Sequence, residues 1–224
     1  MMLRHCEWDF VFPFKENVIQ WLTIEEPTVF RNLVWEMKRQ CQGESGGFVL
    51  SESSRPVPIS SKLALVTDPF SVDINNRKAI TSLHKHIAAV AVDEDHYLGT
   101  QEMISCFFQY LEGLFSEIHS PLTLDYDAGV EKLFKAYDVR FETEDSSLPE
   151  LFLDFSCIMT DFCGVEVFVF CNLTSCLTPP ELSSLIREWH SAKIPVLLID
   201  TVASAVENEM NRWIIDADKC LINA

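Results

Sequence analysis

Apolar residues along this chain recur in two different rhythms. Five short runs are almost continuously apolar: 17–24 (NVIQWLTI), 62–67 (KLALVT), 165–171 (VEVFVFC), 194–199 (IPVLLI) and the terminal CLINA. Such runs, rich in β-branched and aromatic residues and bounded by turn residues, predict strands buried on both faces, as in a parallel sheet covered by helices. Elsewhere the spacing becomes i, i+3, i+4. Val29, Leu33, Val34 and Met37 predict a helix over 27–41. PPELSSLIREWHSA predicts another over 179–192, with Thr178 as N-cap and prolines in the first turn. The strand at 165–171, that helix and the strand ending at Asp200 make one βαβ unit.

The middle of the chain reads differently. TQEMISCFFQYLEGLFSEI (100–118) aligns Met103, Ile104, Phe107, Phe108, Leu111, Leu114, Phe115 and Ile118 on one helical face. Together with 75–92 and 127–137 it predicts an α-helical insertion over 73–137, inside an α/β head formed by 1–72 and 138–224. GESGG (43–47) and SESSRPVP (51–58) read as surface loops. No internal repeat or low-complexity tract interrupts this plan.

With 224 residues, 48% hydrophobic and 23% charged, the composition is that of a globular protein rather than a disordered one. No apolar run approaches the ~18 residues of a membrane helix, and Glu7 and Asp9 interrupt any signal-peptide core. A cytoplasmic location, with no membrane partner, is the expectation. The eight cysteines include no Cys-x-x-Cys pair and no zinc-ligand spacing, so they read as free core thiols of a reducing compartment.

Charge changes the picture. Residues 74–87 carry Arg77, Lys78, Lys85, His84 and His86 and no acid, whereas 86–131 hold nine carboxylates and no Lys or Arg. A second base-free run, 141–186, holds eight more acids. Like charges sorted this way repel unless cations neutralise them, so the acidic part suggests a hard metal ion and the basic part a polyanion. The plain alternative is a solvated acidic surface. A net charge of −17 confines any nucleic-acid contact to a restricted basic patch.

Catalytic signatures are missing from the sequence. The junction from the first strong strand into its helix, WLTIEEPTVF (21–30), has Glu25, Glu26 and Pro27 where a phosphate loop would carry glycines and a lysine. Asp200 stands where a magnesium-binding aspartate would be expected; without a phosphate loop it reads as a helix cap or hydrogen-bond anchor. There is no G-x-S-x-G, no H-E-x-x-H, and no nucleophile paired with a base.

Three segments carry a resemblance: LALVTDPFSVDINNRKAITSLHKHI (63–87), LTLDYDAGVEKLFKAYDVRFETED (122–145) and VFVFCNLTSCLTPPELSSLIREWHSAKIPVLLID (167–200). With the entry WLTIEEPTVF, and in this order, they resemble the short form of the ring-forming spacer-acquisition protein of type II-A CRISPR adaptation modules. The resemblance implies a mostly parallel α/β head like a degenerate P-loop fold and an α-helical leg. It also implies a calcium-stabilised homotetrameric ring binding double-stranded DNA ends without enzymatic activity, alongside the CRISPR integrase complex and the effector nuclease. One departure from that pattern is the small basic complement, 17 Lys and Arg against 34 acids. The rival readings are a P-loop-like nucleotide hydrolase or kinase, and a scaffold for the adaptation proteins that does not bind DNA.

Calcium takes six to eight oxygen ligands. The candidate cluster is Asp125, Asp127 and Glu131, with Asp127 capping a helix over 127–137, and Glu112 and Glu117 reaching it across the SPL turn. Read without the resemblance, Asp127 is an N-cap and the glutamates are solvated. For DNA, Arg77, Lys78 and Lys85 are the first candidates, Arg31, Lys38 and Arg39 the second, and Lys132 and Lys135 the third. They would contact phosphates rather than read bases.

Overall fold

A computed structural model describes residues 1–15, 18–143, 146–202 and 210–223. They form two compact units, one comprising Met1–Ile74 with Thr143–Ala224, the other Asn75–Glu142.

The first unit holds two sheets. The larger runs in the order β10 (Leu221–Asn223), β9 (Met210–Ile215), β3 (Ile19–Ile24), β8 (Val196–Asp200), β7 (Val167–Cys171), β6 (Leu63–Val66), and only β10 is antiparallel to its neighbour. All five runs of continuous apolar sequence supply strands to it. β9 was not expected: the adjacent polar residues Asn211 and Arg212 interrupt MNRWII, so it lacks the unbroken apolar character of a central strand.

The smaller sheet is antiparallel, ordered β2 (Val11–Pro13), β1 (Met2–His5), β4 (Phe48–Glu52), β5 (Arg55–Val57). It corrects the loop expected at 51–58, because Ser51 and Glu52 end β4 and a tight turn leads into β5. Ser53 and Ser54 adopt φ of 47° and 67°, the doubly positive geometry of a type I′ hairpin turn. Asn-Gly usually marks that turn; Ser-Ser hides it.

Helix α1 (Pro27–Cys41) buries Val29, Leu33 and Met37 in one core with Leu3, Phe12 and Leu50 of the small sheet and Leu22, Val169 and Ile199 of the large one. After β5 a single helical turn, α2 (Ile59–Lys62), leads into β6. β7 is buried throughout. Its Val167, Val169 and Cys171 join that core, while Phe168 and Phe170 alternate to the opposite face. The helices α6 (Leu148–Cys163) and α7 (Pro179–Ser191) supply the aromatic neighbours there. Phe170 lies 5.5 Å from Phe152 and stacks 5.0 Å from Trp189, whose Nε1–H donates to the Ser156 hydroxyl at 3.2 Å. α6 escaped the sequence reading, although Ser147 and Glu150 form a capping box before its apolar run. Thr178 and Glu181 form the same box on α7.

The second unit consists of α3 (Arg77–Ala91), α4 (Tyr97–Phe115) and α5 (Glu131–Ala136). Its far end lies beyond residue 137. Asn75 brackets Phe141, donating from Nδ2 to its carbonyl at 3.0 Å and accepting its N–H at 2.9 Å. The Nε2–H of buried His84 donates to the Val139 carbonyl at 2.8 Å. Residues 138–142 therefore belong with the helices rather than with the sheets. Only Ala79, Leu83 and His84 of this unit are buried.

Candidate metal and nucleic-acid sites

The five candidate calcium ligands are all exposed, and they serve different local purposes. Glu112, on α4, accepts a hydrogen bond from the Tyr126 hydroxyl at 2.6 Å. Asp125 pairs with Lys132 at 2.6 Å, and that hydrogen bond and charge hold its carboxyl below the usual range. Glu117 follows the end of α4. Asp127 does not cap a helix. α5 starts at Glu131 with Val130 as its N-cap residue, so Glu131 does not stand one turn above Asp127. The glycine at 129 explains the late start, being a poor helix former at the position where the first turn would form. Among the described residues no group of three or more His, Cys, Asp or Glu side chains is arranged to hold a metal ion.

The basic candidates divide more sharply. Lys38 and Arg39 sit in the last turn of α1, and Lys135 in that of α5. Cations there favour the helix dipole, which suffices to explain them. Arg39 also pairs with Glu44, and Lys132 with Asp125. Arg77 and Lys78 occupy the first turn of α3, where the dipole opposes them and no acid is present. Asn76 compensates by accepting the N–H groups of Lys78 and Ala79, each at 3.1 Å. Lys85 lies seven residues beyond Lys78 on the same helical face. All three side chains are exposed, and none makes an ion pair among the described residues. Helix stability does not account for this group.

In the sheet unit, Glu26 caps α1, its carboxylate accepting the Val29 N–H at 2.6 Å. That bond lowers its pKa. The amide that a phosphate would use is thereby taken, and by a negative charge. Asp200 is the anchor its surroundings suggested: Oδ1 accepts the Thr174 hydroxyl at 2.7 Å and its N–H at 3.3 Å. Burial raises its pKa against those two bonds, and Oδ2 has no partner among the described residues. Burial, with Asp200 nearby, also pushes the Cys171 thiol up to about 12, which removes it as a nucleophile at neutral pH.

These units define the class: a mostly parallel α/β domain, its first strand-to-helix junction closed by a glutamate cap, interrupted in sequence by a helical insertion. Residues 40–219 match the CRISPR-associated protein family Cas_Csn2, and the chain belongs to that family. The crystal structure of Stu0660 of Streptococcus thermophilus is similar at a TM-score of 0.60 and 9% identity, over 100% of this chain and 76% of that one. The ADP conformation of MJ1267, an ATP-binding cassette of an ABC transporter, is similar at a TM-score of 0.45 and 9% identity, over 92% of this chain and 79% of that one. No helix among the described residues is long and apolar enough to cross a membrane.

Proposed function

We propose that this protein is a non-enzymatic, homotetrameric ring that binds double-stranded DNA ends during spacer acquisition, beside the integrase complex and effector nuclease of its CRISPR system. The observation that carries this reading is the unfinished core of the helical unit. Met103, Phe107, Tyr110 and Leu114 repeat at four, three and four residues along α4 and remain 46%, 39%, 63% and 44% exposed. That repeat is the seam a helix presents to a partner helix, and a second copy of the same unit fits it. Symmetric assembly then multiplies Arg77, Lys78 and Lys85, giving a protomer of charge −17 a local positive field.

Calcium enters this proposal only with assembly. Glu112, Glu117, Asp125, Asp127 and Glu131 of one copy would meet donors of the next, so that two copies complete the shell. Sedimentation with calcium, and again after exhaustive chelation, tests it: the mass should fall on chelation, and an unchanged mass removes calcium from the assembly. Linear duplex should bind and covalently closed circles should not, because a closed ring loads only at an end. Arg77→Ala with Lys78→Ala should lower the salt slope of linear-duplex binding by about 1.8, two phosphate contacts at about 0.9 each. Equal affinity for circles and linear fragments would overturn the ring.

A further inference from the structure

The exposed face of α1 holds a feature that the packing of the sheet unit does not require. Trp35 is 63% exposed. The other four tryptophans are buried or half-buried. No other ring and no cation packs against the Trp35 indole among the described residues. Most of its surface stays in water, so burial does not account for it, and tryptophan is no better a helix former than the polar residues around it.

The same face carries Arg31, Asn32, Lys38, Arg39 and Gln42, all exposed and without a carboxylate among them. Arg39 is engaged by Glu44 at the helix end, through Nε–H to Oε2 at 2.7 Å. Glu36, on the helix flank, is occupied by His5 at 3.1 Å and by the Gly47 N–H at 2.5 Å. Arg31 and Lys38 make no ion pair among the described residues and flank the indole, four residues before it and three after. They lie about 10 Å apart along the axis, one cation on each side of the ring.

We propose that this face binds unpaired nucleotides, with Trp35 stacking on one base while Arg31 and Lys38 hold the phosphates on either side. Single-stranded nucleic acid is recognised by this combination of a free aromatic face and flanking cations. A protein partner would call for a contiguous apolar patch at the centre of the contact. Here the only exposed apolar group on the face is one indole, and its neighbours are amides and cations. The chain's strong negative charge elsewhere confines an anionic partner to the few places where basic groups stand free. The site stands on α1 alone and does not depend on ring assembly.

Fluorescence anisotropy of a short labelled oligothymidylate, measured on the full chain, tests this site. Trp35→Ala should weaken binding about tenfold, the loss of one stacked base, while Trp35→Phe retains most of it. Thermal melting should be unchanged in both, since the indole is exposed. Arg31→Gln with Lys38→Gln should lower the salt slope by about 1.4, two contacts at about 0.7 each. Blunt duplex should bind Trp35→Ala as it binds the original protein, so a failure of the ring reading appears in the duplex arm and leaves the oligonucleotide arm intact. Absent oligonucleotide binding, or equal affinity for the original protein and Trp35→Ala, would overturn the site. So would binding of a polyglutamate peptide that Trp35→Ala abolishes while the oligonucleotide is ignored, which would make the face a protein-docking surface.

Discussion

Trp189 in the sheet unit is 0% exposed, stacks on Phe170, and satisfies its indole N–H on Ser156. Phe107, Tyr110 and Leu114 in the helical unit belong to a longer helix, α4, and remain 39%, 63% and 44% exposed. Both helices α4 and α7 carry an apolar stripe, but α7 lies on the sheet of its own unit, whereas the unit of α4 contains only helices. A helical stripe predicts a helix; burial needs a complementary surface, and three helices with a short α5 do not provide enough of it. The sheet unit therefore closes its own core. The helical unit keeps a seam open.

Substitutions should act on different observables in the two units. Trp189→Ala should have the largest effect, lowering stability by about 3–5 kcal/mol in denaturant titration through the cavity it leaves. A loss below about 1 kcal/mol would mean that the aromatic stack is not the sealed core described above. Leu114→Asp should leave the thermal transition of the sheet unit in place and reduce the mass seen in sedimentation. If mass is retained, α4 is not the assembling face.

Asp200→Asn separates burial from charge inside the sheet unit. Because burial raises the folded-state pKa of Asp200, the carboxyl favours folding when protonated, and that contribution is lost as pH rises from the unfolded value near 3.8 through the raised one. Asparagine keeps an acceptor for Thr174 and cannot ionise. Its stability relative to the original protein should increase over that rise in pH, and a difference independent of pH would show that Asp200 is not desolvated. Thr178→Ala should be milder, about 1 kcal/mol, through loss of one N-cap at α7. Smallest of all is the expected response to nucleotide: with Glu26 on the Val29 amide, ATP or GTP should leave the melting temperature unchanged.

Much of the sheet unit was legible because its signals are local and strong. Continuous apolar runs marked β3, β6, β7 and β8, and α1 begins and ends where its pattern does. The small sheet was not legible, since its strands are short, pair across long separations in the chain, and turn through Ser53–Ser54 rather than glycine. The candidate carboxylates were grouped by nearness in sequence, yet Asp125 turns to Lys132 and Glu112 to Tyr126. Trp35 went unremarked because exposure depends on what the rest of the chain covers.

Periodicity, charge sorting and the absence of a phosphate loop were decided by the sequence itself, because each depends on residue type and near neighbours. Segment order pointed to the family. Tertiary structure alone decided that α4's stripe stays open, that the five carboxylates form no metal-holding group among the described residues, and that Trp35 stands between Arg31 and Lys38, neither in an ion pair among those residues. Those are long-range outcomes. They follow from which surfaces meet when the chain closes, and the pattern of any single segment carries no record of the surface that will or will not cover it.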